Sequence, residues 1–209
     1  MAVYLVRHAE DRAAAELRFG DQGLTERGVE QARDLAAGFA GVSLRGCLVS
    51  PLVRAAETAE ILLEGRDLAV EISPSLAEGE TGELTGLSFA DAARRYPRDF
   101  ERGHSVVARL AASGRTAPGG ESRDAFVARA AQVRKRLERE LQSEGDSLLV
   151  VSHGGLLNYA LQQLLGMPVR DEVPFGFDHC GVLRLVNYRE PPGFGSFPML
   201  RFAPLAGSR

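Results

Sequence analysis

Two histidines and two arginines stand directly behind short apolar runs of this 209-residue chain. Arg7 and His8 follow Tyr4-Leu5-Val6, Arg54 comes just after LVSPL, and His153 follows LLVVS. If those runs are strands of a parallel sheet, their ends share one rim, and residues far apart in sequence meet there. Helices begin at the same rim, and their N-termini favour anions. Two guanidiniums and two imidazoles around one pocket predict a site for a phosphoryl group. Neutral imidazole is a competent nucleophile near pH 7, and a covalent step divides a difficult hydrolysis into two easier ones. Guanidinium forks match phosphate oxygens and neutralise charge that persists through transfer. A carboxylic acid could protonate the leaving oxygen and then activate water. Three candidates crowd one loop, Glu78, Glu80 and Glu83.

The elements that must place these groups can be read from periodicity and punctuation. Short apolar runs at 3–6, 47–49, 70–72, 147–151, 182–186 and 199–202 predict strands. Amphipathic stretches predict helices over 25–39, from Pro51 through Leu63, from Ser88, over 122–141, and from Gly154-Gly155 to about Gly166. Thr25 is a predicted N-cap with Glu26 in the first turn, and Ser88 with Asp91 has capping-box spacing. The alternation predicts an α/β fold, a three-layer α/β/α sandwich with a mostly parallel central sheet. Residues 76–120 show no clear strand and predict a helical insertion over the active-site rim. The length favours one domain, 1–209.

Composition sets wider bounds. Hydrophobic residues are 44% and charged residues 25%, with a net charge of -3, which weighs against nucleic-acid or membrane-surface partners. Lys135 is the single lysine. Cys47 and Cys180 lack metal-ligand spacing, and the apolar run at Cys47 predicts a buried thiol. The run before Arg7 is too short for a signal peptide and no stretch reaches membrane-spanning length, so a cytoplasmic location is expected. The RKRLERE run from Arg134 predicts a solvated helix face. His104 is expected at the surface, and His179 near the rim in a structural role. Phe19, Phe89, Tyr96 and Phe100 could line an apolar pocket, although core packing is the commoner fate.

In its motifs the chain resembles the histidine phosphatase (phosphoglycerate mutase-like) superfamily. LVRHAE is similar to its signature, GLTERGVEQAR to its first-helix entry, and VSPLVRAAETAEIL to its arginine-bearing helix. Leu76, Glu78, Gly82 and Gly86 fit its L-x-E-x-x-x-G-x-x-x-G loop, and PGGES and VVSHGG follow in order. The resemblance implies a phosphomonoester hydrolase with His8 as the phosphohistidine-forming nucleophile. It implies that Arg7, Arg54 and His153 hold the phosphate, that Glu78 is the proton donor, and that Thr25 lies near the phosphate. A small phosphorylated substrate is implied, with no metal and no organic cofactor. Ala9 stands where glycine is frequent, and residues 10–22 lack the tryptophan-asparagine pair of many mutase-like members, which argues against a phosphoglycerate-type mutase. A non-catalytic phospho-ligand binding domain would be expected to lack His8 or Glu78, and this chain has both.

Overall fold

The computed structural model describes residues 1–97, 118–171, 174–189 and 196–201. Strands are β1 (Ala2–Arg7), β2 (Leu44–Val49), β3 (Ala69–Ile72), β4 (Ser147–Ser152), β5 (Val182–Arg189) and β6 (Ser196–Arg201). Helices are α1 (Arg12–Ala15), α2 (Glu26–Gly38), α3 (Val53–Leu62), α4 (Phe89–Arg95), α5 (Arg123–Gln142) and α6 (Gly154–Leu164). They form one sheet in the order β3-β2-β4-β1-β5-β6. Its β3-β2, β2-β4 and β4-β1 pairings are parallel, and β5 and β6 add antiparallel pairings at one edge.

Alternation along the strands makes the three layers. Val3, Leu5, Leu148, Val150, Leu183 and Leu185 point to one face, where they pack on Phe126, Ala130, Val133 and Leu137 of α5 and Leu157, Leu161 and Leu164 of α6. Tyr4, Val6, Cys47, Val49, Leu149 and Val151 point to the other, against Phe39 behind α2 and Ala55, Ala59 and Leu62 of α3. Both faces being covered explains why these strands read as near-continuous apolar runs. The expected sandwich with its mostly parallel sheet is therefore the fold.

This layering also locates a crevice. β1 and β4 are neighbours, yet α2, the long helix following β1, packs on one face and α6, following β4, on the other. The chain parts between their C-terminal ends, a topological switch point where open α/β sheets bind ligands. Caps fix where the helices start. The hydroxyls of Thr25, Ser88 and Ser122 accept from the N–H groups of Gly28, Asp91 and Ala125.

Several sequence expectations need adjustment. The 10–22 stretch, for which the periodicity gave no element, contains the one-turn α1, capped by Asp11, and a bridge between Asp11 and Leu24. The RKRLERE run is more than a solvated face. Leu137 and Glu140 are buried, and Glu140 binds Arg45 of β2 and Arg136, which in turn holds Glu71 of β3 at 2.9 Å. Phe19 packs with Leu84, Ala92, Leu87, Phe89 and Tyr96 in a small core of its own. Cys47 is a buried free thiol that burial pushes up to about 12, and Cys180 is also free. Among the described residues no helix is long and apolar enough to cross a membrane. The expectations for His104, Phe100, Phe202 and most of the later half of the insertion fall outside the described residues.

The described part of the insertion does lie on the rim. Ser152 at the end of β4 donates through Oγ to the Leu76 carbonyl at 2.8 Å. Farther on, Gly86 N–H donates to the Phe19 carbonyl, and Phe89 N–H to that of Leu17. The insertion and the 10–22 segment thus brace each other above the strand ends.

Candidate active site

His8 continues β1 by one residue, its N–H donating to the Ser152 carbonyl of β4 at 3.0 Å. Its side chain is buried. Nδ1 lies 2.7 Å from the Ala9 carbonyl, which can only accept, so Nδ1 carries the proton and Nε2 keeps a free lone pair. Burial, and behind it the Arg54 guanidinium, hold the imidazole well below its usual range, so the ring is neutral at pH 7. Thr58 steadies this turn by accepting from Ala9 N–H (3.0 Å) while donating to the Arg54 carbonyl (2.7 Å).

Arg54 is the second residue of α3. Its Nε donates to His8 Nε2 at 3.2 Å, and its Nη1 donates to Asp21 Oδ1 at 3.0 Å. The other Asp21 oxygen accepts from Val53 N–H at 2.9 Å, capping a helix whose own N-cap, Leu52, has no side-chain acceptor. One carboxylate thus fixes both the helix start and the guanidinium.

His153 follows β4 as the N-cap residue of α6, completely buried, with its ring centroid 4.9 Å from that of His8. Burial, then Arg54 and His8, lower its pKa well below the usual imidazole value. Nε2 is 2.7 Å from Ser50 Oγ, and Ser50 Oγ accepts from Leu52 N–H. His153 Nδ1 is buried with no hydrogen-bond partner among the described residues. A buried polar atom left in that condition is costly unless a ligand oxygen meets it.

Arg7 reaches the pocket from the other side. Nη1 donates to the Phe177 carbonyl (2.6 Å) and Nη2 to His179 Nε2 (2.9 Å). The segment carrying these acceptors is tied to α6 by two buried amides, because Asn158 pairs with both backbone groups of Phe175 and Gln162 with both of Arg170. The ring of His179 stands 5.7 Å from that of His8.

Glu78 enters over the end of β4. Its Oε2 accepts from Gly155 N–H at 3.1 Å, so the carboxyl caps α6, and its Oε1 accepts from Gly79 N–H. Burial raises its pKa above the ordinary carboxyl value, against the opposing pull of Arg54 and the two N–H groups. Arg129 of α5 pins the loop. It donates to the carbonyls of Ser75, Ala77 and Glu78, forms a two-toothed pair with Glu121, and lies over the Phe126 ring. Glu83, one of the competing carboxylates, is instead held by Arg95 and Tyr96.

Gly155 is where this packing is tightest. A Cβ there would sit 2.7 Å from Glu78 Oε1, and that carboxyl is the movable end of a side chain. We therefore expect Gly155→Ala to leave the fold intact and displace Glu78. Turnover should fall roughly 10–100-fold with the melting temperature held within about 2 °C, as a misplacement near 1 Å would cause. A loss of turnover matched by a large drop in melting temperature would contradict this account. Gly28 is different, since a Cβ there would meet the Glu10 carbonyl at 2.1 Å, and backbone cannot step aside.

Arg7, His8, Arg54, His153 and Glu78 are thus brought to one rim. Thr25 is not shown in contact with them. Its hydroxyl accepts from Gly28 N–H and donates to Glu10 Oε1, both at 2.9 Å, which is a helix-cap arrangement. Four residues escaped the reading of the sequence as site components: Ser50, Asp21, Asp11 and Arg129. His179 was placed near the rim but given a structural role. Ser50, Asp21, Arg129 and His179 have no local signal, because each meets the pocket through a loop or a helix face set by tertiary packing, whereas Asp11 lies three residues from His8. Among the described residues His8, Asp11 and His179 offer metal-ligating atoms within 4.8 Å of one another. Two guanidiniums at the same place make the surroundings cationic, which suits an anion better than a metal ion.

The rim of this α/β sheet joins two neutral imidazoles to two guanidiniums, an arrangement suited to a tetrahedral anion. The chain belongs to the histidine phosphatase superfamily (branch 1), whose profile matches residues 3–194. It is 34% identical over 174 residues to the adenosylcobalamin/alpha-ribazole phosphatase of Escherichia coli (strain K12), covering 80% of this chain and 81% of that one. It is 30% identical over 203 residues to the probable phosphoglycerate mutase GpmB of Enterobacter sp. (strain 638), covering 94% and 89%. The crystal structure of the alpha-ribazole phosphatase from Shigella flexneri superposes with a TM-score of 0.81 at 25% identity, over 100% of both chains.

Proposed function

We propose that this protein hydrolyses phosphate monoesters through a phosphohistidine on His8, with no metal ion taking part. The observation that carries the reading is the state of the His8 ring, whose Nδ1 proton is anchored on the Ala9 carbonyl while its Nε2 lone pair faces Arg54. In the free protein Arg54 Nε donates to that lone pair. An incoming phosphoryl group takes over the guanidinium, together with Arg7, and frees Nε2 for in-line attack. We assign Ser50 as the donor to His153 Nε2, which puts the proton of His153 on the otherwise unpartnered Nδ1, a donor for a phosphoryl oxygen. Glu78, its pKa raised by burial, gives its proton to the departing ester oxygen. The resulting carboxylate then takes a proton from water as that water attacks phosphorus, and His8 is regenerated.

A mutase reading has one specific support, the similarity to a probable phosphoglycerate mutase. Hydrolysis is favoured because residues 10–22 lack the tryptophan-asparagine pair, and because the relative with 34% identity is named a phosphatase. The substrates to assay first are the α-ribazole phosphates of that relative's name, beside sugar phosphates and nucleotides. The direct test is chemical trapping. Wild-type protein quenched during turnover of a radiolabelled monoester in excess chelator should retain label that is stable to alkali and lost in acid, on the peptide containing His8. Label on serine or glutamate, or turnover abolished by chelator, would overturn the proposal.

A further inference from the structure

A carboxylate buried beside the candidate nucleophile has no place in the scheme above. Asp11 is 3% exposed, and the one ion pair it makes among the described residues is with His8, Oδ2 to Nδ1 at 3.8 Å. Its other oxygen accepts from Ala14 N–H at 3.1 Å and caps α1. Capping alone does not account for a charge in this place, since asparagine and serine cap as well and avoid burying one. The charge also reaches beyond His8, favouring the protonated forms of Arg7 and His179. It is the carboxylate on the Nδ1 side of His8, in a pocket that Arg7, Arg54, three imidazoles and the Glu78 carboxyl also line.

Resting on the phosphohistidine reading, we infer that Asp11 stabilises the positive charge that His8 acquires when it is phosphorylated. In that step the Nε2 lone pair forms the N–P bond while the P–O bond to the leaving group breaks. The electron pair departs with the ester oxygen, which takes the proton of Glu78. Nδ1 keeps its own proton on the Ala9 carbonyl, so the ring passes from neutral to cationic. The Asp11 carboxylate lies on the Nδ1 side, opposite the reacting nitrogen, and its attraction for the ring grows as the N–P bond forms. Asp11 is a positioning residue in this sense, acting through His8 and touching no substrate.

The same charge has an opposite effect on the bound anion, and that contrast gives the test. Asp11→Asn and Asp11→Ser retain the cap but remove the charge. With an aryl phosphate in rapid-quench experiments, both variants should form phosphoenzyme about tenfold more slowly than wild type. Inorganic phosphate should inhibit them as tightly as wild type or more tightly, because a negative charge near the anion has gone. A purely structural Asp11 predicts something else, with rate, phosphate affinity and melting temperature all declining together, and that result would overturn the inference. So would phosphorylation within twofold of wild type. A wild-type protein that forms no phosphohistidine would remove the underlying mechanism itself, an outcome distinct from either.

Discussion

Replacing His8 by alanine is expected to reduce phosphate-monoester hydrolysis by at least about 10⁴-fold, to the level that phosphate binding alone can support. The scale follows from what is lost. Without the imidazole no covalent intermediate forms, and attack must come directly from water. Chelator should leave wild-type turnover unchanged, since the residues assigned to charge neutralisation are guanidiniums and not metal ligands. Arg7 has its own anchors, Phe177 and His179, and Arg54 has Asp21, so the cradle should outlast the substitution. Inorganic phosphate should therefore still bind to His8→Ala, which calorimetry can measure directly. Equal turnover in the variant and wild type would remove His8 from the chemistry.

Glu78→Gln should have the second largest effect, and its size should depend on the leaving group. For an alkyl phosphate the departing oxygen is strongly basic and needs a proton, so a loss of roughly 10²–10⁴-fold is expected. For a nitrophenyl phosphate the departing phenolate is stable by itself, and phosphorylation of His8 should slow far less. The sign of the pH dependence follows from burial. Because burial raises the Glu78 pKa, the acid stays protonated further toward neutrality, and alkyl-phosphate turnover should fall as pH rises through that value. The acid limb has another source, since His8 and His153 have lowered values and lose activity only when pH falls far enough to protonate them. In Glu78→Gln the alkaline limb should vanish while the acid limb persists. Equal losses on both kinds of ester would exclude Glu78 as the proton donor.

The two expectations differ in how firmly the sequence prepared them. His8 and His153 sit at the ends of apolar runs that can hardly be other than buried strands, and parallel pairing of β1 with β4 brings their rings to 4.9 Å. Glu78 had two rivals a few residues away. What separates it is Arg129, from a helix that begins 45 residues later, holding the carbonyl groups of Ser75, Ala77 and Glu78 so that the carboxyl turns to Gly155 N–H. Glu83 was drawn off by Arg95 and Tyr96 of the insertion. No local pattern announces either choice.

Thr25 makes the opposite point. Its type and place announce a helix cap, and the cap is what its contacts show, with Glu10 taking the hydroxyl proton. His179 was hidden for another reason. Its surroundings are created by the return of residues 174–181 beside β1, where Cys180 N–H reaches the carbonyls of Arg7 and His8. That is a pairing between positions some 170 residues apart.

By itself the sequence determined the layers, the strands and the rim. Apolar periodicity states which face of each element must leave water, and side chains that follow buried strands have nowhere to go but the strand ends. Only the tertiary structure decided which of those side chains act together. Protonation states and orientations depend on burial and on single hydrogen bonds across long separations: Ser50 on His153, Asp21 on Arg54, Arg129 on the Glu78 loop. Such contacts follow from closure of the fold, and no window along the chain contains both of their ends.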